Sequence, residues 1–187
     1  MSTLKVSTIS PLGTDSTKTI TIGSSGDTIA GASANTPSWI AYQGSTNPTG
    51  LAFNTYHTYN LDNVDYDTHN GFDTSTYKYT VPETGKYFLS FQYGVESVSG
   101  GAIITVMAEI YNETTGYILL RRRTVSAGDH ASTNQPLVDS IAGLKTLSAN
   151  DVIYCRVYVF ASSGSLKLNG NDNQEWGYFS GMKVVGA

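Results

Sequence analysis

Residues Val81–Val95, VPETGKYFLSFQYGV, decide the fold. Pro82 and Gly85 bracket a turn over Glu83 and Thr84, the residue types that punctuate a chain between strands. Tyr87, Leu89, Phe91, Tyr93 and Val95 then share one side of an extended segment, with Ser90, Gln92 and Glu96 on the other. A period of two marks a β-strand with one buried face. Phe88 interrupts the polar side and needs cover of its own.

Outward from this strand the same pattern recurs. Pro37–Gly44 contains a short strand with Trp39 and Ala41 on one face and Ile40 and Tyr42 on the other. Further strands are expected within Leu51–Leu61, over Tyr77–Val81, Ala102–Tyr111, Tyr117–Val125, Leu137–Leu147, Val152–Ala161, Leu166–Leu168 and Tyr178–Val185. The Asp- and Asn-rich residues 62–76 read as a connection. In Ala102–Tyr111 the set Ala102, Ile104, Val106, Ala108 and Ile110 is expected to face the core. In Val152–Ala161 that role falls to Ile153, Cys155, Val157 and Val159. The opposite side of the latter strand carries Tyr154, Arg156, Tyr158 and Phe160. Aromatic residues with one arginine are interface-like, so a second sheet or a neighbouring subunit should cover them. No apolar stripe of helical period exists, and the chain is read as all-β.

Composition agrees. Of 187 residues only 14% are charged, against roughly 25% in ordinary domains. The 13 tyrosines and 19 glycines suit strands and tight turns. A net charge of -4 argues against a nucleic-acid partner, whose phosphates need a basic face. One cysteine, Cys155, allows neither an internal disulfide nor a cysteine zinc site within one chain. The N-terminal residues lack the apolar centre of a signal peptide, and no apolar run of about 18 residues occurs. The expected place of synthesis is therefore a cytoplasm, without membrane insertion.

Residues 1–36 read as a separate arm. Two short alternating strands, in TLKVSTIS and TKTITIG, flank the turn residues PLGTDS, and a Gly-, Ser- and Ala-rich stretch follows. Two strands cannot build a core alone, so the arm is expected to pack on another chain. The alternative is a flexible leader. Residues 37–187 form the head.

From Pro37 onward the order of motifs resembles the globular heads of complement component C-one-q and tumour necrosis factor. The match runs through Trp39–Ala41–Tyr42 and through Gly71, Phe72 and Asp73. Its most specific part is Pro82, Gly85, Tyr87, Phe88 and Phe91. Leu147, Asn150, Asp151 and Val152 follow, with Asn150 where the family has Gly, and Phe179, Ser180 and Gly181 close the set. The resemblance implies a ten-stranded jelly-roll β-sandwich that assembles as a homotrimer, with Tyr154, Arg156, Tyr158 and Phe160 at the trimer interface. Residues 1–36 resemble N-terminal attachment segments of bacteriophage tail-fibre and other virion proteins.

Catalysis finds little support. His57, His69 and His130 are scattered in sequence with no nucleophile or acid at useful spacing, and no paired carboxylates stand in a glycosidase-like setting. Asp65, Asp67 and Asp73 are the candidate metal ligands. An EF-hand loop is excluded, because its sixth and twelfth positions counted from Asp65 hold Asn70 and Thr76. An irregular calcium site, such as some members of the resembled family carry, stands against an Asx-rich surface loop; no other cofactor is expected. Arg121, Arg122 and Arg123 cannot all point one way on a strand. They read either as a site for acidic polysaccharide, or as edge protection or intersubunit pairing with Glu109 or Glu113. For host-surface glycan the candidates are Tyr66, His69, Trp176 and Arg122, with core packing the alternative for Trp176. The expected protein is a non-enzymatic phage virion component, a trimeric tail-fibre or appendage head contacting the host surface. Its partners would be virion proteins bound through residues 1–36. A capsid decoration protein and a secreted complement-like binding module are the alternatives.

Overall fold

The alternation that begins at Gly85 becomes a strand of 13 residues, Gly85–Ser97, with Tyr87, Leu89, Phe91, Tyr93 and Val95 fully buried. Each such side chain contributes about 1.5–3 kcal/mol on burial, enough to fix the register of everything paired to the strand. The computed structural model describes residues 36–44, 46–98, 102–125, 136–161, 164–170 and 176–184. All of these lie in the compact unit Ala34–Ala187. The expected arm, apart from Thr36, and His130 lie outside the described residues.

In chain order the strands are β1 (Ser38–Tyr42), β2 (Tyr56–Thr58), β3 (Asn63–Asp67), β4 (Phe72–Asp73), β5 (Lys78–Thr80) and β6 (Gly85–Ser97). They continue with β7 (Ile103–Asn112), β8 (Tyr117–Val125), β9 (Leu137–Leu147), β10 (Val152–Ala161), β11 (Leu166–Asn169) and β12 (Tyr178–Lys183). No helix occurs among the described residues. One sheet runs β3, β1, β12, β6, β9, with β11 continuing the β12 edge of β6. The other runs β4, β5, β10, β7, β8, with β2 continuing the β5 edge of β10. All pairings are antiparallel. The two sheets enclose one core, to which β10 supplies Ile153, Cys155, Val157 and Val159 as expected. The surplus over ten strands lies in short segments such as β2 and β4.

Trp39 ties the sheets together. Its ring stacks on Tyr79 of β5 at 3.6 Å and meets Phe179 of β12 edge-on at 5.4 Å. The indole lies against Gly181, where a Cβ would fall inside the ring. That contact explains the glycine of the Phe179–Ser180–Gly181 motif. Asn150, where the resembled family has glycine, sits at φ 70°. Asparagine is one of the few side chains that tolerates this left-handed region.

Several expectations change. Residues 62–76 are not a bare connection, since β3 pairs with β1 and β4 with β5. Polar side chains concealed these strands because their outward faces are wet. Within Leu51–Leu61 only β2 forms, and Leu51 makes a lone bridge to Leu166. Ile104 does not face the core, and Ala102 is only half-buried. The pairing of β7 with β10 slips between Thr105 and Ile103, leaving Ile104 as a bulge with Ile103 buried instead. One inserted residue exchanges the faces of a strand. Glu96, expected on the wet side, is buried and bonded to Lys167 across the β6–β11 pair.

Candidate interaction surfaces

Directly opposed residues share a face, so the register of the second sheet sets side chains in rows. One row runs Thr58, Arg156, Glu109, Arg121 from β2 through β10 and β7 to β8. The next runs Tyr56, Tyr158, Met107, Arg123. Glu109 has no exposed surface although its strand face points outward. Its Oε1 accepts from the Tyr56 hydroxyl at 2.9 Å and from Arg121 Nε at 2.6 Å. Its Oε2 accepts from Arg156 Nε at 2.9 Å. Arg156 lies over the rings of Tyr111 and Tyr56, 3.8 and 4.3 Å from their centroids. A carboxylate tolerates burial only with such partners. Burial, then the hydrogen bond to Glu109, pushes the Tyr56 phenol above its ordinary pKa, so it remains a donor.

Beside this cluster opens a depression of about 430 Å³, lined by Thr105, Met107, Arg121, Arg123, Tyr158 and Phe160. Tyr158 is held against Tyr56, their centroids 5.2 Å apart, while Phe160 is 45% exposed. Arg122 points the other way. Its Nε donates to Asp139 of β9 at 2.9 Å, and Thr124 donates to the same carboxylate oxygen at 2.5 Å. These bonds join the edge of one sheet to the edge of the other. Burial raises the Asp139 pKa, but the bonds from Thr124, the Ser140 amide and Arg122 outweigh it and hold the pKa below the ordinary value.

The first sheet presents a different face. Phe88 is opposed by Leu144 on β9 and by Met182 on β12, which makes a cross-strand row of three apolar side chains. They are 39%, 60% and 52% exposed. The cover that the sequence demanded for Phe88 is not supplied by the described residues.

Tyr154, Arg156 and Tyr158 find much of their cover within the chain instead. Tyr154 meets Tyr111 edge-on at 5.5 Å with Lys78 Nζ 5.4 Å from its centroid, and Arg156 and Tyr158 pack as described. Pairing of the arginines with Glu109 is likewise made inside one chain, and Glu113 pairs with Lys78. Asp65, Asp67 and Asp73 are not gathered into a metal-binding group among the described residues. Asp67 accepts from the His69 and Phe72 amides, and Asp73 from Ser75 and Thr76, as an Asx-rich loop does. His69 lies 4.0 Å from Glu83 and its Nδ1 is 2.9 Å from Thr68 Oγ1, a proximity that sequence spacing concealed. Thr68 is occupied by the backbone of Thr36 and Ser38, which makes it a peg. Cys155 is fully buried, and burial pushes its thiol well up. His57 contacts the Ala52 carbonyl. Tyr66 is exposed on β3. Trp176 is half-buried, its carbonyl near the far end of β6 at Gly94, whereas His69 sits near Glu83 at the start. The glycan candidates therefore do not converge on one loop cluster. Sequence reading also missed Met107, whose position depends on register.

The architecture is that of an antiparallel jelly-roll domain, of the kind found in tumour-necrosis-factor-like and complement globular heads. Solved structures that share it include the following three. Murine APRIL matches with a TM-score of 0.56 and 14% identity over 80% of this chain and 99% of its own. The globular domain of the zebrafish complement 1qA protein gives 0.52 and 12% over 80% and 97%. Eiger TNF from S. frugiperda gives 0.57 and 13% over 82% and 95%. At these identities the likeness is one of fold. No protein-family model and no curated protein matches the sequence.

Proposed function

We propose that this chain is a non-enzymatic binding module that works as a homotrimer, with its copies meeting on the outward face of the β6 sheet. One observation carries the proposal, namely the exposed row Leu144–Phe88–Met182 across three adjacent strands. An apolar row in the middle of a sheet face marks a surface that another body covers. A second copy of the chain satisfies it without a further component, and three copies is the number the sequence resemblance implies. The interface thus moves from Tyr154, Arg156, Tyr158 and Phe160, most of which are covered internally, to Phe88. Size-exclusion chromatography with light scattering tests it. The wild type should elute as a trimer, and Phe88→Asp and Leu144→Asp as monomers with unchanged far-ultraviolet circular dichroism. A wild type that stays monomeric up to high micromolar concentration overturns the reading.

Its setting is the bacteriophage virion, where the head contacts the host surface after assembly in the host cytoplasm. The support is the resemblance of residues 1–36 to virion attachment segments. Immunogold labelling of intact particles decides among the alternatives. Label at tail tips supports the appendage, label on the shell supports capsid decoration, and no label leaves a secreted module.

A further inference from the structure

The depression beside Glu109 combines a positive wall with an apolar one, and we propose that it binds a carboxylate-bearing sugar. The proposal rests on the reading of this chain as a binding module but not on self-association, because the lining residues lie on β7, β8 and β10, in the sheet that does not carry the Phe88 row.

Charge is the first argument. Arg121 and Arg156 share the single carboxylate of Glu109, and Arg123 has no partner among the described residues. Three guanidiniums against one carboxylate leave this patch positive, in a chain whose net charge is -4. The positive field is therefore local and built. Arg121 is held in place by Glu109 with nearly half its side chain still open, a preorganised donor beside the freer Arg123. Guanidinium geometry suits a carboxylate, which accepts two parallel N–H bonds.

Shape is the second. Across Met107 of β7, which stands between Arg123 and Tyr158, the side facing the arginines is Tyr158 and Phe160 of β10, with Phe160 45% exposed. The C–H face of a pyranose can lie on such rings while its carboxylate reaches the arginines. A volume of about 430 Å³ is of the size of small-ligand sites. An inorganic anion would leave the aromatic wall uncontacted. An extended acidic peptide gains most by adding to a sheet edge, which here is β8, whereas the depression opens on the face of the sheet across β10, β7 and β8.

Saturation-transfer NMR on the full chain tests the site. Glucuronic acid and N-acetylneuraminic acid serve as probes, with glucose, sodium sulfate and a glutamate-rich peptide as comparisons. At least one acidic sugar should bind saturably, and glucose should not. Arg123→Gln should weaken binding about tenfold or more, the loss expected for one charge-assisted contact. Phe160→Ala should weaken it severalfold, and Arg122→Gln, whose partner is Asp139, should leave it unchanged. The proposal is overturned if neither acid binds, if glucose binds equally, or if Arg123→Gln and Phe160→Ala both bind as the wild type does. Displacement of the sugar by equimolar sulfate or peptide also overturns it. A monomer that binds the sugar retains this site and removes only the trimeric reading.

Discussion

Replacing Glu109 with glutamine changes one atom and dismantles the centre of the second sheet's outer face. The carboxylate accepts from Tyr56, Arg121 and Arg156 and has no exposed surface. An amide of the same shape keeps at most part of this, because its nitrogen faces a donor. A charge-assisted hydrogen bond is worth about 1.5–3 kcal/mol, and two are lost. Arg121, nearly half exposed, recovers much of its share from water, whereas Arg156 is 18% exposed and is left charged between two rings. The expected cost is about 3 kcal/mol, the lower end of the range for breaking a buried pair. In a domain of this size it lowers the melting temperature by roughly 6–12 °C. Urea denaturation followed by circular dichroism measures it. Replacing Glu109, Arg121 and Arg156 together with apolar residues of similar volume should cost far less than Glu109→Gln alone, since no charge is then stranded. A loss below about 1 kcal/mol in Glu109→Gln would refute the view that the cluster holds a desolvated carboxylate.

Gly181→Ala drives a methyl into the Trp39 ring and should cost about 3 kcal/mol in the same urea assay. Asn150→Ala should cost about 1–2 kcal/mol because φ there is 70°, while Asn150→Gly should be nearly neutral. Asp139 has a depressed pKa in the folded chain, so its contribution is full above the unfolded aspartate value of roughly 4 and is lost as pH falls through the lower folded value. The protection of β8 and β9 amides, corrected for the intrinsic pH dependence of exchange, should accordingly fall below about pH 4 and be flat from pH 5 to 7; Asp139→Asn should abolish that acid step.

What could be read in advance depended on how local its cause is. The β6 alternation and the core set of β10 follow from a period of two and needed no partner to be recognised. Gly181 could be singled out as a motif, but its reason, the Trp39 ring, comes from a strand well over a hundred residues away. Ile104 was misplaced because a bulge belongs to a pair of strands, and the slip opposite Phe160 leaves no trace in the sequence of β7. The three arginines alternate on β8, but their separate fates depend on which neighbour each face meets. Arg121 meets Glu109 of β7, Arg122 meets Asp139 across the seam to β9, and Arg123 meets only the depression among the described residues.

The two outer faces differ because of the reach of their side chains. On the β10 sheet, long residues stand in adjacent rows, so Arg156, Tyr56 and Tyr111 can fold over Glu109 and one another. On the β6 sheet, the row beside Leu144, Phe88 and Met182 is Ala142, Ser90 and Ser180. None of these reaches across a phenyl ring. Lys86, on the same face two residues from Phe88, can cover it only with its aliphatic stem. The first face can therefore cover Glu109 and Arg156 within a single chain, whereas on the second the row stays open to the partner proposed above. For this reason a charge at Phe88 is expected to act on assembly, whereas removal of the charge at Glu109 acts on folding. If both substitutions changed the same observable, the separation of the two faces would be wrong.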